Sequence, residues 1–245
     1  VGPALAGWIV ATTGEALCFL LNAGSYLAVL LALLAVRLPA GGPRKPSSPP
    51  LQALREGLRY AAAHRRIRAS LLLIASLSLL ATPYTVLMPL FAREILGGDA
   101  RLFGLLMGSA GAGALVAAVV LARRSDTAGL AALVGRSVPL VGLALALFAL
   151  AGTLWQAVPI LVGLGFCLLL CVAGSNTLIQ TAVDNDFRGR VMALFTMAFL
   201  GLAPIGSFAV GSLAHAFGVH PTLIACGLLT ALAGLIYRRN PGGRH

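Results

Sequence analysis

Two long runs without a formal charge, Ser137–Val183 and Val191–Tyr237, constrain what this chain can fold into, and each is 47 residues long. Soluble domains carry about 25% charged residues, whereas this chain of 245 residues has 10% charged and 59% hydrophobic residues. A soluble fold of this size cannot hide so much apolar surface from water. Since a membrane span needs about 20 apolar residues, each run predicts two transmembrane helices joined by a tight turn.

Segments of similar length occur along the whole chain and predict an all-α integral membrane protein. The expected full spans cover residues 16–36, 69–92, 102–122, 130–151, 157–180, 191–214 and 219–237. The opening residues 1–14 are too short to cross a bilayer, begin with Val and lack the basic flank of a signal peptide. We interpret them as the end of a helix whose start is missing, so we expect the chain to be a fragment.

The basic residues are divided unequally between alternate connections. One side takes 16 of the 18 Lys and Arg residues, and the other takes only Arg93 and Arg101. Because basic loops remain in the cytoplasm, the crowded side and the C-terminal tail 238–245 are predicted to be cytoplasmic. Retention inside and contact with anionic lipid then account for the net charge of +11 better than binding to nucleic acid does.

Residues 37–68 form the long connection. The stretch "PAGGPRKPSSPP" predicts a flexible linker. The following "LQALREGLRYAAAHRRIR" predicts an amphipathic helix in the membrane interface. A passive interfacial helix is favoured over a calmodulin-like or lipid-regulatory role. Its expected apolar face is Leu51, Leu54, Leu58 and Ala61, and its expected basic face is Arg55, Arg59 and Arg66.

Several stretches of the sequence resemble one transporter family. "GPALAG", "TPYTVLMPLFAREILGG", "GSAGAGALVAA", "SNTLIQTAV" and "FRGRVMALFTMAFLGLAPIGSFAVG" are similar to the branch of the major facilitator superfamily that contains the enterobactin exporter and macrolide-efflux proteins. The resemblance covers essentially the whole chain and implies helices five to twelve of that fold. Residues 1–36 would end the N-terminal bundle, residues 69–237 would form the complete six-helix C-terminal bundle, and four earlier helices would be missing.

The resemblance also implies a function. We expect a secondary active transporter of the inner membrane, which exports a small amphipathic compound of drug or siderophore type by alternating access with a proton as coupling ion. The alternative is a non-transporting membrane protein or an inactive transporter fragment. The sequence contains no acid–base cluster for an enzyme, and we expect no cofactor and no metal.

Polar side chains inside spans are candidates for lining a substrate cavity, because polar groups are expensive next to lipid. Each candidate has an alternative role in helix packing or in hydrogen bonding between neighbouring helices. The candidates are Asn22, Tyr26, Thr82, Tyr84, Asn176 and Gln180.

Glycine and proline inside spans are candidates for gating, since they permit bending and close approach of helices. Close packing without bending is the alternative. The candidates are Gly2, Pro3, Gly7, Pro83, Pro89, Gly201, Pro204 and Gly206.

The charged turn, residues 184–190 with the sequence "DNDFRGR", separates the two uncharged runs. We expect Asp184 or Asp186 to cap the following helix. Together with Arg188 and Arg190 they are candidates for a cytoplasmic latch. No acid is expected at mid-membrane depth, so the proton-coupling acid is predicted to lie in the missing helices, with Glu15 as a weak local candidate.

Overall fold

The computed structural model describes residues 15–36, 49–124 and 129–239. Three gating candidates, Gly2, Pro3 and Gly7, lie outside the described residues, as do most of the predicted linker and the last six residues. The helices are, in chain order, α1 (Glu15–Ala35), α2 (Pro50–Ala63), α3 (Arg65–Ile95), α4 (Ala100–Ala122), α5 (Leu130–Ala149), α6 (Leu154–Ala182), α7 (Arg188–Phe217) and α8 (Val219–Arg239).

The described residues are helical and contain no strand, which confirms the all-α fold class. The six helices α3 to α8 are each long and apolar enough to cross a membrane, and α1 is apolar from Phe19 to Ala35. In the superfamily's numbering α1 would be helix six and α3 to α8 would be helices seven to twelve. The division into domains remains a prediction.

Short turns join the spans. Asp99 caps α4, because its carboxylate accepts hydrogen bonds from the backbone N–H groups of Arg101 and Leu102 at 3.0 and 3.2 Å. Between α7 and α8 the turn is the single residue Gly218, whose φ of 93° favours glycine. Consecutive spans therefore run antiparallel, and the two ends of the bundle differ sharply in charge.

The charged end of the bundle carries the start of α3, α5 and α7 and the end of α4, α6 and α8. Twelve of the fourteen described arginines lie at or near this end, while Arg93 and Arg101 lie at the opposite end. The alternation that the sequence predicts is thus reproduced in the arrangement of the helices.

Small residues allow the spans of the bundle to approach closely. A Cβ atom added at Gly113 or Gly165 would overlap a backbone carbonyl of the facing helix in the α4–α6 pair. Gly142 and Gly227 meet in the same way between α5 and α8. Because lipid provides no hydrophobic force between helices, such van der Waals packing stabilises the bundle.

The amphipathic helix ends earlier than predicted. It ends at Ala63, because His64 takes an extended conformation (φ −97°, ψ 103°), so Arg66 belongs to α3. Its expected apolar face is also divided: Ala61 is buried, but Leu51 and Leu58 are exposed. Exposed leucines are expected of a helix that lies in the membrane interface, so the amphipathic role of α2 remains a prediction.

Candidate functional site

The middle of α3 departs from regular α-helical geometry around Pro83. Residues Leu77–Ala81 form a π-turn, in which the N–H of Thr82 donates to the carbonyl of Leu77 at 2.8 Å. Proline lacks an N–H group, so Pro83 cannot donate to the carbonyl of Leu79 four residues earlier. The Thr82 hydroxyl also donates to the Leu77 carbonyl, at 3.2 Å. These contacts stabilise an irregular segment inside the bundle. A second π-turn, Phe91–Ile95, follows shortly after Pro89.

A third π-turn interrupts α7 at Met197–Gly201, and regular helix resumes at Ala203, with Pro204 as its second residue. This π-turn touches the first one. The buried Ser78 hydroxyl donates to the carbonyl of Phe199 at 2.6 Å. We call this contact and its surroundings the α3–α7 junction; it joins the irregular segments of two spans.

Gly206 completes the α3–α7 junction. A Cβ atom at this position would lie 2.8 Å from both the Cα and the carbonyl oxygen of Leu79. Real Cβ atoms essentially never approach other atoms so closely, so the backbones of α3 and α7 meet here only because residue 206 is glycine. Gly201, another gating candidate, is exposed.

The substrate-cavity candidates do not form one cluster. Tyr84 is 5% exposed and belongs to the bundle core, which agrees with its packing interpretation. Asn22 and Tyr26 are exposed on α1, and the side chains described along that helix are exposed throughout. The role of these residues toward a substrate remains a prediction.

The other two candidates lie together on α6. The Gln180 amide donates to the side-chain oxygen of Asn176. Thr177 and Thr181 extend the polar surface, and each hydroxyl donates to a carbonyl one turn earlier. Asn176 is half-buried and the other three are exposed. We call these four residues the α6 polar stripe.

At the charged end of the bundle, α2 packs on the turn between α6 and α7. The Tyr60 hydroxyl donates to Asp184 Oδ2 at 2.9 Å, and it accepts from the Asp184 backbone N–H at 3.2 Å. The Tyr60 ring stacks on Phe187 with centroids 4.3 Å apart. Arg190 forms an ion pair with Glu56 at 2.9 Å. We call these five residues the clamp.

The clamp gathers further contacts. The Arg190 guanidinium lies 5.3 Å from the Phe187 ring centroid, within the range of a cation–π interaction. The His64 ring stacks on the Tyr60 ring, with centroids 4.0 Å apart. A Cβ atom at Gly57 would lie 3.2 Å from Arg190 Cβ, so α2 presents its one glycine where it approaches α7. The Glu56–Arg190 ion pair therefore lies next to the stacked rings of Tyr60 and Phe187.

The predicted capping of α7 was wrong. The residue before the helix is Phe187, and no side chain caps it. The Asp184 carboxylate instead accepts the Tyr60 hydroxyl, because the docked α2 brings that donor within reach. Asp186 and Arg188, the other two latch candidates, are exposed. The sequence did not indicate Glu56, Tyr60 and Phe187 as candidates. The one local signal was the spacing on α2, where Glu56, its only acid, lies four residues before Tyr60, its only tyrosine.

Within the described ranges no group of three or more His, Cys, Asp or Glu residues could hold a metal ion. Cys167, Cys171 and Cys226 are buried free thiols. The hydroxyl of Ser175, beside the α6 polar stripe, is buried and has no hydrogen-bond partner in the described part of the chain. The candidate functional groups of the described residues are thus hydrogen-bonding and charged side chains, which lie where helices are interrupted or end.

These features define a multi-pass membrane protein in which two spans are interrupted by π-turns that contact each other. Residues 1–241 match the sequence model of a family described as transmembrane secretion effector. The chain belongs to this family, which is a branch of the major facilitator superfamily.

Three curated relatives are similar to the chain over almost all of its length. The multidrug efflux pump Tap of Mycobacterium tuberculosis (strain ATCC 25618 / H37Rv) is 28% identical over 100% of this chain and 59% of its own. The staphyloferrin A transporter of Staphylococcus aureus is 26% identical over 97% and 59%. The uncharacterized MFS-type transporter YfiS of Bacillus subtilis is 29% identical over 96% and 58%. The chain therefore spans about three-fifths of the length of these relatives.

Proposed function

We propose that this chain is part of a secondary active transporter that exports a small amphipathic compound of drug or siderophore type. The α6 polar stripe carries the proposal. Two amides and two hydroxyls lie at least partly exposed near the end of an apolar helix of 29 residues. Because amides are expensive toward lipid, this surface is suited to a substrate pathway shared with a second bundle.

The relatives support the choice of substrate class. One is named a multidrug efflux pump and another a staphyloferrin A transporter. Together with the family match, these names favour transport over an enzyme and over the alternative of a non-transporting membrane protein or an inactive fragment. The proposed activity belongs to the intact transporter, in which this chain pairs with preceding helices.

We further propose that transport proceeds by alternating access and is coupled to protons. The α3–α7 junction is where bending would occur, since π-turns and prolines interrupt both helices there. The acids of the described ranges lie in α2, at helix ends or in turns, namely Glu15, Glu56, Glu94, Asp99, Asp184 and Asp186. The proposal therefore assigns the coupling acid to the preceding helices.

The transport proposal is tested with the intact protein in inverted membrane vesicles, using ethidium and a carboxylate siderophore as probes. Replacing both amides of the stripe (Asn176→Leu with Gln180→Leu) should lower transport about tenfold without changing the amount of protein in the membrane. Gln156→Leu, which removes an amide near the opposite end of α6, is the matched control and should transport normally. Equal losses in both variants contradict a role for the stripe. Transport that persists after the proton gradient is collapsed contradicts proton coupling.

We propose that the charged end of the bundle and the C-terminus face the cytoplasm of a cell whose inner membrane holds the protein. The crowding of arginines at this end supports the orientation. Single cysteines placed at Arg66 and Arg188 in a variant without native cysteines should be labelled from the same side. Labelling from opposite sides would exclude the proposed threading of the chain.

We propose that the clamp and the charged turn form a cytoplasmic latch for one transport state. The candidates Asp184 and Asp186 lie between α6 and α7, and Arg188 and Arg190 lie in the first turn of α7. Asp184 and Arg190 contact α2. The Glu56–Arg190 pair is partly exposed, at 36% and 22%, and such a pair contributes about 0.2–1 kcal/mol. Losing it should shift the balance between states by up to about fivefold.

A charge exchange tests the latch. Arg190→Glu should change the transport rate, and adding Glu56→Arg should restore it because the ion pair is rebuilt with opposite polarity. Arg188→Glu should also change transport more than expression, but Glu56→Arg should not restore that variant. Rescue of both variants, or of neither, contradicts a specific contact between Glu56 and Arg190.

A further inference from the structure

We infer that the groove between α3 and α8 at the charged end binds an anionic phospholipid. The groove has a volume of about 450 Å³. Its lining includes Arg65, Arg68, Leu72, Leu73, Ile236 and Tyr237. We call it the α3–α8 groove. This inference is independent of whether the protein transports anything.

The mouth of the α3–α8 groove is built for a phosphate group. Arg65 and Arg68 are three residues apart and so lie on one face of α3. One guanidinium N–H of Arg68 donates to the carbonyl of Ala62 at 3.1 Å, which holds that side chain in place. Guanidinium carries five N–H donors in a planar fork that matches phosphate oxygens. None of the lining residues, all of them described, is acidic.

The remainder of the α3–α8 groove is built for a hydrocarbon chain. Leu72 and Leu73 on α3 face Ile236 on α8. Leu72 is 64% exposed and Ile236 is 56% exposed, although both lie in spans. From Arg65 to Ser76, the last lining residue on α3, the helix rises about 16 Å at ~1.5 Å per residue. A free anion would use only the mouth, whereas a phospholipid occupies the mouth and the apolar walls together.

The charge of the α3–α8 groove is local, not only a property of the charged end as a whole. Arg123 and Arg136 lie at the same end of the bundle but do not line the groove. They provide a matched pair, because replacing them removes the same net charge from the same end. A site can therefore be distinguished from general attraction to an anionic surface.

A tryptophan reporter in the groove tests the inference. The intact protein with Leu72→Trp, and with all its native tryptophans including Trp8 and Trp155 replaced by Phe, is reconstituted in phosphatidylcholine vesicles. Brominated phosphatidylglycerol or brominated phosphatidylcholine is then added as quencher. Half-maximal quenching should need at least fivefold less phosphatidylglycerol, since one basic residue near an anionic lipid contributes about that factor. A second reporter, Ile236→Trp, should give the same preference.

Variants decide between the site and its alternatives. Arg65→Gln with Arg68→Gln should abolish the preference, whereas Arg65→Lys with Arg68→Lys should retain only part of it, because the charge is kept and the planar fork is lost. Arg123→Gln with Arg136→Gln should leave it unchanged. Equal quenching by the two lipids, a preference that both Gln pairs reduce alike, or a preference seen by only one reporter overturns the inference. Displacement by millimolar glycerol phosphate would identify a free-anion site and also overturn it.

Discussion

Replacing Gly206 by alanine should separate α3 from α7 at their junction. The added Cβ would lie 2.8 Å from backbone atoms of Leu79, whereas ordinary contact begins at 3.4 Å. The atoms in the way belong to backbone and cannot rotate aside, so the two helices must move apart by about 0.6 Å. A gap of 0.5–1 Å forfeits about a quarter to a half of the van der Waals energy of the contacts it opens.

Gly211→Ala is the matched control for this change. Residue 211 lies in the same helix, and nothing lies within 4 Å of a Cβ added there. Both substitutions gain about 1 kcal/mol of helix propensity, so this term cancels when the two variants are compared. Overpacking costs about 1–3 kcal/mol, and this is the expected difference in the free energy of unfolding.

Thermal unfolding of the intact protein in detergent measures the difference. One kcal/mol shifts the melting temperature by about 2–4 °C for 150–250 residues and by less for a longer protein, so Gly206→Ala should unfold up to about 12 °C below Gly211→Ala. Transport by Gly206→Ala should fall as well, because the α3–α7 junction is where the proposal locates bending. Equal melting temperatures, or a higher one for Gly206→Ala, would refute the close approach of the two backbones.

Three further changes test other contacts of the fold. Gly165→Ala should lower the melting temperature far more than Gly163→Ala, because only the first Cβ meets a backbone carbonyl of the facing helix. Ser78→Ala removes a buried hydrogen bond between two spans and should lower the free energy of unfolding by about 1 kcal/mol. A larger loss in a melting experiment would contradict this prediction. Tyr60→Phe should weaken the clamp by about 0.5–1.5 kcal/mol. Its effect on hydrogen exchange of α2 should be smaller when Asp184→Ala is already present, because only the hydrogen bond from the backbone N–H of residue 184 then remains to be lost.

The spans and their order could be predicted because they depend on length and hydropathy alone. An uncharged run of 47 residues has the length of two membrane-spanning helices joined by a short turn, and few other structures can accommodate it. The turn at Gly218 and the start of α7 at Arg188 fall where the sequence changes composition. The predicted start of α6 was off by three residues: the helix begins at Leu154, since Trp155 and Pro159 are tolerated in its first turns.

The clamp could not be predicted from the sequence, because its two halves are 124 residues apart in the chain. The charged turn and the basic helix were both recognised, but nothing local indicates that Tyr60 meets Asp184. The capping expectation failed for the same reason: a carboxylate near a helix start has several possible donors, and only the tertiary fold selects one. The π-turns were likewise invisible, although Pro83 and Pro204 marked their neighbourhoods.

The π-turns have a consequence for comparing this chain with its relatives. Each holds one residue more than the corresponding α-turn, so deleting one residue within Leu77–Ala81 or Met197–Gly201 would restore regular helix and leave the flanking faces in register. The same deletion elsewhere in a span would rotate every later side chain by about 100°. Single-residue gaps in alignments of related proteins should therefore be tolerated at these two turns and at the π-turn Phe91–Ile95, and be rare in the rest of α3 and α7.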